Sequence, residues 1–377
     1  MIKINLNRFN ELDALRGLAA VSVLMHHFLL VKDSSSQLES DVRILLYPFQ
    51  NGPAAVVLFF VLSGFVLSLP LWRGVKSGYP RFLMRRIFRI YPPYLFTLAV
   101  SVAGAYLFYN DKRNLSHWFQ GSWSSPVDPH LVLQHILFIG PSYQASQYNT
   151  VFWTLILEMQ ISLIFPFLLG ILKRIPTGWD WLFVGLIWML GFWGAYLIPL
   201  SSICQIAYWS SYFLAGAVLA RRVLVFPDLF PGIFAKMPTL AVSLTLLICS
   251  TFIGHNKSQT MHLLSYLPCS VGSLGTILSA LYNPFFRRVL DTKVAAFLGH
   301  ISYSLYLIHA VVLNVCFHVL YPSLSFSFIF FPYVVITLIL ATLMRKVIET
   351  PSIQLGAWLT AKNYPQKSLT SILQPSD

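Results

Sequence analysis

Long apolar runs separated by short polar or charged connections dominate the chain. A helix needs about 20 apolar residues to cross the hydrocarbon core of a bilayer, and about ten runs approach that length. The predicted spans are about 11–31, 53–72, 93–109, 150–172, 181–199, 204–220, 238–254, 261–282, 294–317 and 325–348. The pattern predicts an all-α polytopic membrane protein with about ten transmembrane helices.

Composition and charge agree with this prediction. Hydrophobic residues make up 56% of the chain and charged residues 10%, with a mean hydropathy of +0.66. A net charge of +13 would suit a nucleic-acid partner, but its distribution follows membrane topology. If the N-terminus is cytoplasmic, 20 of the 26 Lys and Arg residues lie on that side and five lie outside. We therefore expect cytoplasmic termini, contact with membrane lipids and no nucleic-acid partner.

The chain is predicted to form one membrane domain over residues 1–350, followed by a short cytoplasmic tail over 351–377. Its four cysteines show neither disulfide nor metal-ligand spacing, so we expect no metal. The sequence leaves open whether the chain forms a homo-oligomer.

Two ionisable residues lie within the first predicted span. Arg16 and His27 are eleven positions apart, which brings them to nearly the same helix face, about 16 Å apart along the axis. Placing an arginine in a membrane costs roughly 2.5–3.5 kcal/mol on insertion scales, so its presence there needs a reason. We predict that both residues belong to a functional site and that His26 is a packing neighbour.

A cluster of cations without a single acid follows the second predicted span. It is expected in a cytoplasmic loop and consists of Arg73, Lys76, Arg81, Arg85, Arg86 and Arg89. One interpretation is an anchor that contacts anionic lipid headgroups. The other is a binding site for a polyanionic ligand, because guanidinium groups bind phosphates bidentately.

Polar residues also interrupt later spans. Glu158 is the one carboxylate predicted deep within a span, where it can serve the site or pair with Arg16 or a histidine. His309 follows Tyr303 and Tyr306 along a polar stripe, although a lone intramembrane histidine often only hydrogen-bonds a neighbouring helix.

Counting from the predicted outer ends of the spans places His27, Glu158 and His309 in the outer half of the bilayer. Arg16 and the arginine cluster mark the inner side. In the second span, Ser63 and Gly64 are most simply explained as small residues at a close helix–helix contact.

The longest connection, 110–149, is rich in Trp and His. An interfacial aromatic belt explains it, and contact of its indole rings with a sugar is the alternative.

Five short motifs resemble, in the same order, those of the acyltransferase-3 family of integral membrane acyltransferases. They lie at 12–17 with the Arg16–His27 spacing, 59–65, 85–92, 153–158 and 302–309. The resemblance covers about residues 8–350, and Trp153-Thr154 stands where the family more often has Trp-Ser.

The resemblance implies transfer of an acyl group, usually acetyl from acetyl-CoA, to a hydroxyl of an extracytoplasmic carbohydrate that is free or lipid-linked. The implied location is the plasma membrane, in bacteria the inner membrane. The chain resembles stand-alone members, which lack an extracellular esterase-like domain. The predicted site comprises catalytic His27, Glu158 and Arg16, donor-binding Arg16, Arg85, Arg86 and Arg89, and substrate-binding Trp153, Tyr303, Tyr306 and His309.

In the mechanism that we expect, His27 is the general base and Glu158 orients its imidazole. An acyl-imidazole intermediate is an open variant. The alternative function is a proton-coupled transporter or lipid-linked glycan flippase, with Arg16, His27 and Glu158 as a proton relay. Against it, no pair of Gly/Pro-broken spans in matching halves is visible.

Overall fold

The computed structural model describes residues 10–32, 51–75, 78–111, 114–138, 146–197, 202–254 and 259–362, and these residues form helices joined by short connections. The helices are α1 (Asn10–Leu30), α2 (Gly52–Trp72), α3 (Tyr79–Phe108), α4 (His117–Gln120), α5 (Pro129–Leu137), α6 (Phe152–Arg174), α7 (Asp180–Leu197), α8 (Ser202–Val225), α9 (Pro231–Phe234), α10 (Met237–Gly254), α11 (Gln259–Tyr282), α12 (Pro284–Leu290), α13 (Lys293–Leu320), α14 (Phe326–Met344) and α15 (Thr350–Lys362). A π-helical turn, Arg345–Glu349, joins α14 to α15.

The prediction of an all-α polytopic membrane protein is confirmed. In the described ranges, eight helices are long and apolar enough to cross a membrane, and α7 and α10 contain shorter apolar segments. Each of the ten predicted spans overlaps one of these helices. Apolar side chains cover the outward faces of several of them, as expected where lipid is the solvent.

Helix α3 corrects the sequence prediction at its beginning. We expected a loop through the arginine cluster and a span from residue 93, whereas the helix begins at Tyr79 and continues through Pro92 and Pro93. The prolines and charges favoured a loop, because proline removes a backbone donor and disfavours helix at the residue before it. In a membrane bundle, contacts with neighbouring helices offset this cost. Arg81, Arg85, Arg86 and Arg89 are therefore helical residues.

Close glycine contacts hold the centre of the bundle together. Helices α1 and α13 cross at Gly17 and Gly299, where a Cβ on Gly17 would lie 2.4 Å from the Gly299 nitrogen. Helices α2 and α8 cross at Gly64 and Gly216, and a Cβ on Gly64 would lie 1.8 Å from the Phe213 carbonyl oxygen. The predicted small-residue contact at Gly64 is confirmed.

The C-terminal residues also differ from the expected tail. Helix α15 continues past Pro351 to Lys362 and packs against the first half of α3. The remainder of the predicted tail lies outside the described residues.

Candidate active site

Two histidines from distant parts of the chain form the centre of the site. His27 lies in the last turn of α1 and His309 in the middle of α13. His27 Nδ1 and His309 Nε2 are 2.9 Å apart, and the rings stack with centroids 5.1 Å apart. His309 is fully buried, whereas His27 keeps part of its surface exposed. The Gly17–Gly299 crossing brings these two helices close enough for the rings to meet.

The hydrogen-bond partners determine where the protons lie in a neutral pair. His309 Nδ1 lies 3.2 Å from the carbonyl oxygen of Leu305, which can only accept, so Nδ1 carries the hydrogen. His309 Nε2 then has a lone pair and accepts from His27 Nδ1–H. This leaves His27 Nε2 with a free lone pair, the state that a general base requires.

The outer loop holds a tryptophan against His27. Ser116 binds the end of α1, with its backbone nitrogen donating to the Val31 carbonyl at 2.9 Å and its Oγ donating to the Leu30 carbonyl at 2.5 Å. Because α4 begins one residue later, Trp118 comes to lie with its ring 5.1 Å from that of His27. The loop therefore positions a side chain of the site.

A cavity of about 1070 Å³ extends from the predicted cytoplasmic side into the bundle. Its lining includes the exposed connection 73–75 at one end and Thr154 and Tyr306 at the other. The cations in its lining are Arg16, Arg73, Arg81, Arg85, Arg86, Arg89 and Lys173. Glu158 is the one acid among the lining residues, so the cavity suits a large polyanionic ligand.

The arginine cluster divides into paired and unpaired members. Arg86 is buried and donates to Glu158 Oε1 at 2.6 Å and to Ser162 Oγ at 3.1 Å. Arg89 makes no ion pair with another described residue, and the buried Nε of Arg81 has no hydrogen-bond partner in the described ranges. Unsatisfied donors of this kind are available to a bound anion.

Glu158 has a different partner from the one that we expected. We expected it in the outer half of the bilayer, orienting His27. The carboxylate instead pairs with Arg86 of the arginine cluster, and His309 takes the position beside His27. The expected partner was wrong because the arginines were assigned to a loop, whereas α3 carries them into the bundle.

Arg16 lies in the inner cavity, as its predicted place on the cytoplasmic side requires. Its Nη1 donates to Asp13 Oδ1 at 3.0 Å, one turn earlier on α1. The guanidinium thus has an acid partner on its own helix and still contributes to the cavity lining.

The tyrosine stripe on α13 lines the deep end of the same cavity. Tyr303 OH donates to the carbonyl oxygen of Ile90 at 2.8 Å, which ties α13 to α3. Tyr306 OH and Thr154 Oγ1 are 2.8 Å apart, and the Tyr306 ring lies 6.0 Å from the His309 ring. Tyr306 therefore connects the inner cavity to the histidine pair.

A second cavity, of about 450 Å³, adjoins the tryptophan that contacts His27. It is lined by His117, Trp118, Gly121, Ser122, Ser146, Thr150 and Trp153. Trp153 lines this outer cavity, whereas the next residue, Thr154, lines the inner one. Neither histidine of the pair is among the lining residues of the two cavities, but the pair contacts one lining residue of each: His27 contacts Trp118 of the outer cavity and His309 contacts Tyr306 of the inner one.

Several site features were missed from the sequence. Ser63 and Lys173 line the inner cavity, and the Thr154 hydroxyl is hydrogen-bonded to the Tyr306 hydroxyl. For the pairing of Glu158, a signal was present: a single intramembrane acid needs a cation, and the arginine cluster had no acid of its own.

The fold and site define a polytopic membrane protein with an imidazole pair that contacts the linings of a cationic cavity and an aromatic one. A profile of the family described as "Acyltransferase domain" matches residues 9–346, and the chain belongs to this acyltransferase-3 family. It is also similar to a protein named Acyltransferase MdmB from Streptomyces mycarofaciens, with 26% identity over 333 residues, 81% of this chain and 79% of the relative. No solved structure matches it.

The chain is therefore a multi-pass membrane acyltransferase, and its substrates are an acyl donor and an acceptor. The family match gives no support to the alternative of a transporter or flippase.

Proposed function

We propose that this enzyme transfers a short acyl group, most simply acetyl, from cytoplasmic acyl-CoA to a hydroxyl of an extracytoplasmic or lipid-linked carbohydrate. One observation carries the proposal: the histidine pair contacts lining residues of two cavities of different chemistry. The proposed location is the plasma membrane, the inner membrane of a bacterium.

The inner cavity supports the choice of donor. A CoA thioester has a phosphorylated nucleotide at one end and a long, thin arm that ends in the acyl group. Arg81 and Arg89 offer guanidinium groups that make no ion pair with another described residue. The same cavity is lined by these cations and by Thr154 and Tyr306, so the arm can bring the thioester toward the histidine pair.

The outer cavity supports the choice of acceptor. Trp118 and Trp153 offer flat aromatic faces, and Ser122, Ser146 and Thr150 offer hydroxyl groups. A sugar ring has an apolar face that packs on an indole and hydroxyls that hydrogen-bond. Since the Trp118 ring lies 5.1 Å from the ring of His27, a hydroxyl of such a ligand would be near the base.

The proposed chemical step uses His27 as general base. Its Nε2 accepts the proton of the acceptor hydroxyl while the hydroxyl oxygen bonds to the thioester carbonyl carbon. The carbon–sulfur bond breaks, and the imidazolium returns the proton to the leaving thiolate, so that the products are an ester and free CoA. Throughout this step, His309 Nε2 accepts a hydrogen bond from His27 Nδ1–H, which keeps the His27 ring in place.

The test uses sealed vesicles that contain the full-length protein, with radiolabelled acetyl-CoA supplied to the cytoplasmic face. We expect label to appear on the surface glycan and the His27→Ala variant to lose at least about 100-fold in rate, because general-base catalysis contributes about 10²–10⁴-fold.

The matched control is His26→Ala, which removes the neighbouring histidine that packs against Gly52. It should keep most of the activity at equal protein level. Full activity in His27→Ala would overturn the role of the base, and glycan that crosses the membrane without label would favour the flippase.

A further inference from the structure

Helix α15 lies beyond the residues that the family profile matches, which end at 346. It packs along the first half of α3, the half that carries the arginine cluster. Because α3 lines the inner cavity, this contact concerns the proposed donor site and not only the stability of the bundle.

The start of α15 is held by a buried carboxylate. Glu349, in the π-helical turn, is 1% exposed and pairs with Arg345. Ser304 Oγ donates to Glu349 Oε2 at 2.7 Å, and Ser304 belongs to the helix that carries Tyr303, Tyr306 and His309. A π-turn inside a longer helix changes its direction and is frequent at functional sites. Here it directs α15 onto α3.

Two contacts then join α15 to the arginine-bearing face. Gly356 touches Phe88 so closely that a Cβ on the glycine would lie 2.6 Å from the Phe88 Cβ. One turn later, Thr360 Oγ1 accepts a hydrogen bond from Arg85 Nε at 3.2 Å and donates to the carbonyl oxygen of Gly356 at 2.9 Å. Thr360 is only 3% exposed, whereas the Arg85 residue is exposed at the cavity wall.

We propose that α15 is a donor-positioning helix and that Thr360 is a positioning residue, which holds the Arg85 guanidinium toward the polyanionic end of the acyl donor. This rests on the proposed function in one respect, that the inner cavity takes acyl-CoA. A long arginine side chain loses much rotamer freedom when it binds a phosphate. A hydrogen bond to Nε restricts the side chain before the donor arrives and leaves its terminal nitrogens available.

The experiment compares Thr360→Val with Thr360→Ser in the full-length protein reconstituted in nanodiscs. Valine keeps the shape and removes the acceptor oxygen, whereas serine keeps the oxygen. We expect Thr360→Val to raise the Kd for CoA and the donor KM about threefold to tenfold, the size expected when a typical intramolecular hydrogen bond is lost. The kcat and the acceptor KM should stay within twofold, and Thr360→Ser should behave as wild type.

Thr342→Val is the matched control, since Thr342 is an exposed residue of α14 whose hydroxyl, among the described residues, bonds only to the Leu338 carbonyl of its own helix. It should change neither constant. A double-mutant cycle adds a test that is independent of folding: in an Arg85→Ala background, Thr360→Val should weaken CoA binding no further.

An equal Kd for CoA in Thr360→Val and wild type would overturn this inference, as would additive losses in the cycle. If wild type itself binds no CoA, the proposed donor is wrong, and with it the inference. The two failures are distinguishable because the first leaves wild-type binding intact.

Discussion

The central physical feature at the scale of single residues is the fixed orientation of one imidazole by another. A histidine inside a membrane protein is useful as a base only if the correct nitrogen is unprotonated and aimed at the substrate. His309 meets this need because its own Nδ1 is committed to the Leu305 carbonyl, which leaves Nε2 as an acceptor for His27. A neutral histidine orients the base without adding a charge to the bundle. An aspartate in the same place would add one.

We predict that the acceptor atom of His309 matters more than its ring. His309→Leu, which cannot accept from His27 Nδ1–H, should lower kcat about 10- to 100-fold with both KM values within threefold. His309→Gln offers a carbonyl oxygen in place of Nε2 and should retain at least ten times the activity of the leucine variant. Steady-state kinetics of acyl transfer measure both effects.

The control for this pair is His318→Leu. His318 is also buried on α13, but it packs against Phe108 and Phe119, away from His27. In the correctly folded fraction of this variant, kcat should stay within threefold of the wild-type value. Equal activity in the Leu and Gln variants of His309 would contradict the proposed orientation.

The arginines of the cluster differ in whether an acid neutralises their charge. A buried arginine paired with a carboxylate, such as Arg86 with Glu158, has little charge left to attract a ligand, and breaking the pair leaves an uncompensated charge. Arg89, which pairs with no acid in the described part of the chain, keeps its charge for the cavity. Helical spacing alone does not distinguish the paired Arg86 from Arg89.

At the scale of helices, small residues decide which elements meet. Membrane helices gain little from apolar burial, because lipid is as apolar as the partner helix, and so they depend on close packing. Gly64 lets the backbone of α2 approach Phe213 of α8, and Gly216 on α8 approaches Val61 in return. This pair of contacts forms one wall of the inner cavity, which Ser63 and Phe213 line.

We predict that Gly64→Ala destabilises the protein, because its Cβ would lie 1.8 Å from the Phe213 carbonyl oxygen and the helices would have to separate. The cost should be at least about 1–3 kcal/mol, the usual size for overpacking. The thermal midpoint in detergent measures it.

Gly185→Ala provides the comparison, since nothing lies within 4 Å of a Cβ at that position in α7. Its melting temperature should stay the same or rise, because alanine favours helix by about 1 kcal/mol over glycine. Identical melting of the two variants would argue against the close α2–α8 contact.

At the scale of the whole molecule, the proposed function assigns the acyl donor and the acceptor to two different cavities. Exposed cations surround the inner cavity on the side that the charge distribution assigns to the cytoplasm. The outer cavity is formed by the loop after α3 and the beginning of α6. Under the proposed function, acyl transfer across the membrane needs only a reactive pair that contacts both cavities, and no passage for either whole substrate.

We predict opposite accessibility for the two cavities. In a variant without the native cysteines, Ser122→Cys should react with a membrane-impermeant maleimide in right-side-out vesicles, and Val75→Cys should not. Inverted vesicles should reverse the pattern, because Ser122 lines the outer cavity and Val75 lies at the mouth of the inner one. Labelling of both from one side would refute the two-sided arrangement, and detergent-solubilised protein provides the positive control.

Much of this protein followed from local properties of the chain. Bilayer thickness and the obligation to satisfy backbone groups in lipid impose long apolar helices, so the class and the positions of the ten apolar helices could be predicted, of which eight are long enough to span a membrane in the described ranges. The cost of charge in lipid likewise singled out Arg16, His27 and Glu158 before any contact was known.

The tertiary structure alone decided which of these residues touch. His27 meets His309 across 282 positions, Arg86 meets Glu158 across 72, and Arg85 meets Thr360 across 275. Helix periodicity carries no information about partners at such separations, because they depend on where helices cross and on how far each extends. For the same reason, the sequence did not reveal where α3 begins or that α15 packs on it. Packing against neighbouring helices stabilised helix where prolines and charges predicted a loop or a tail.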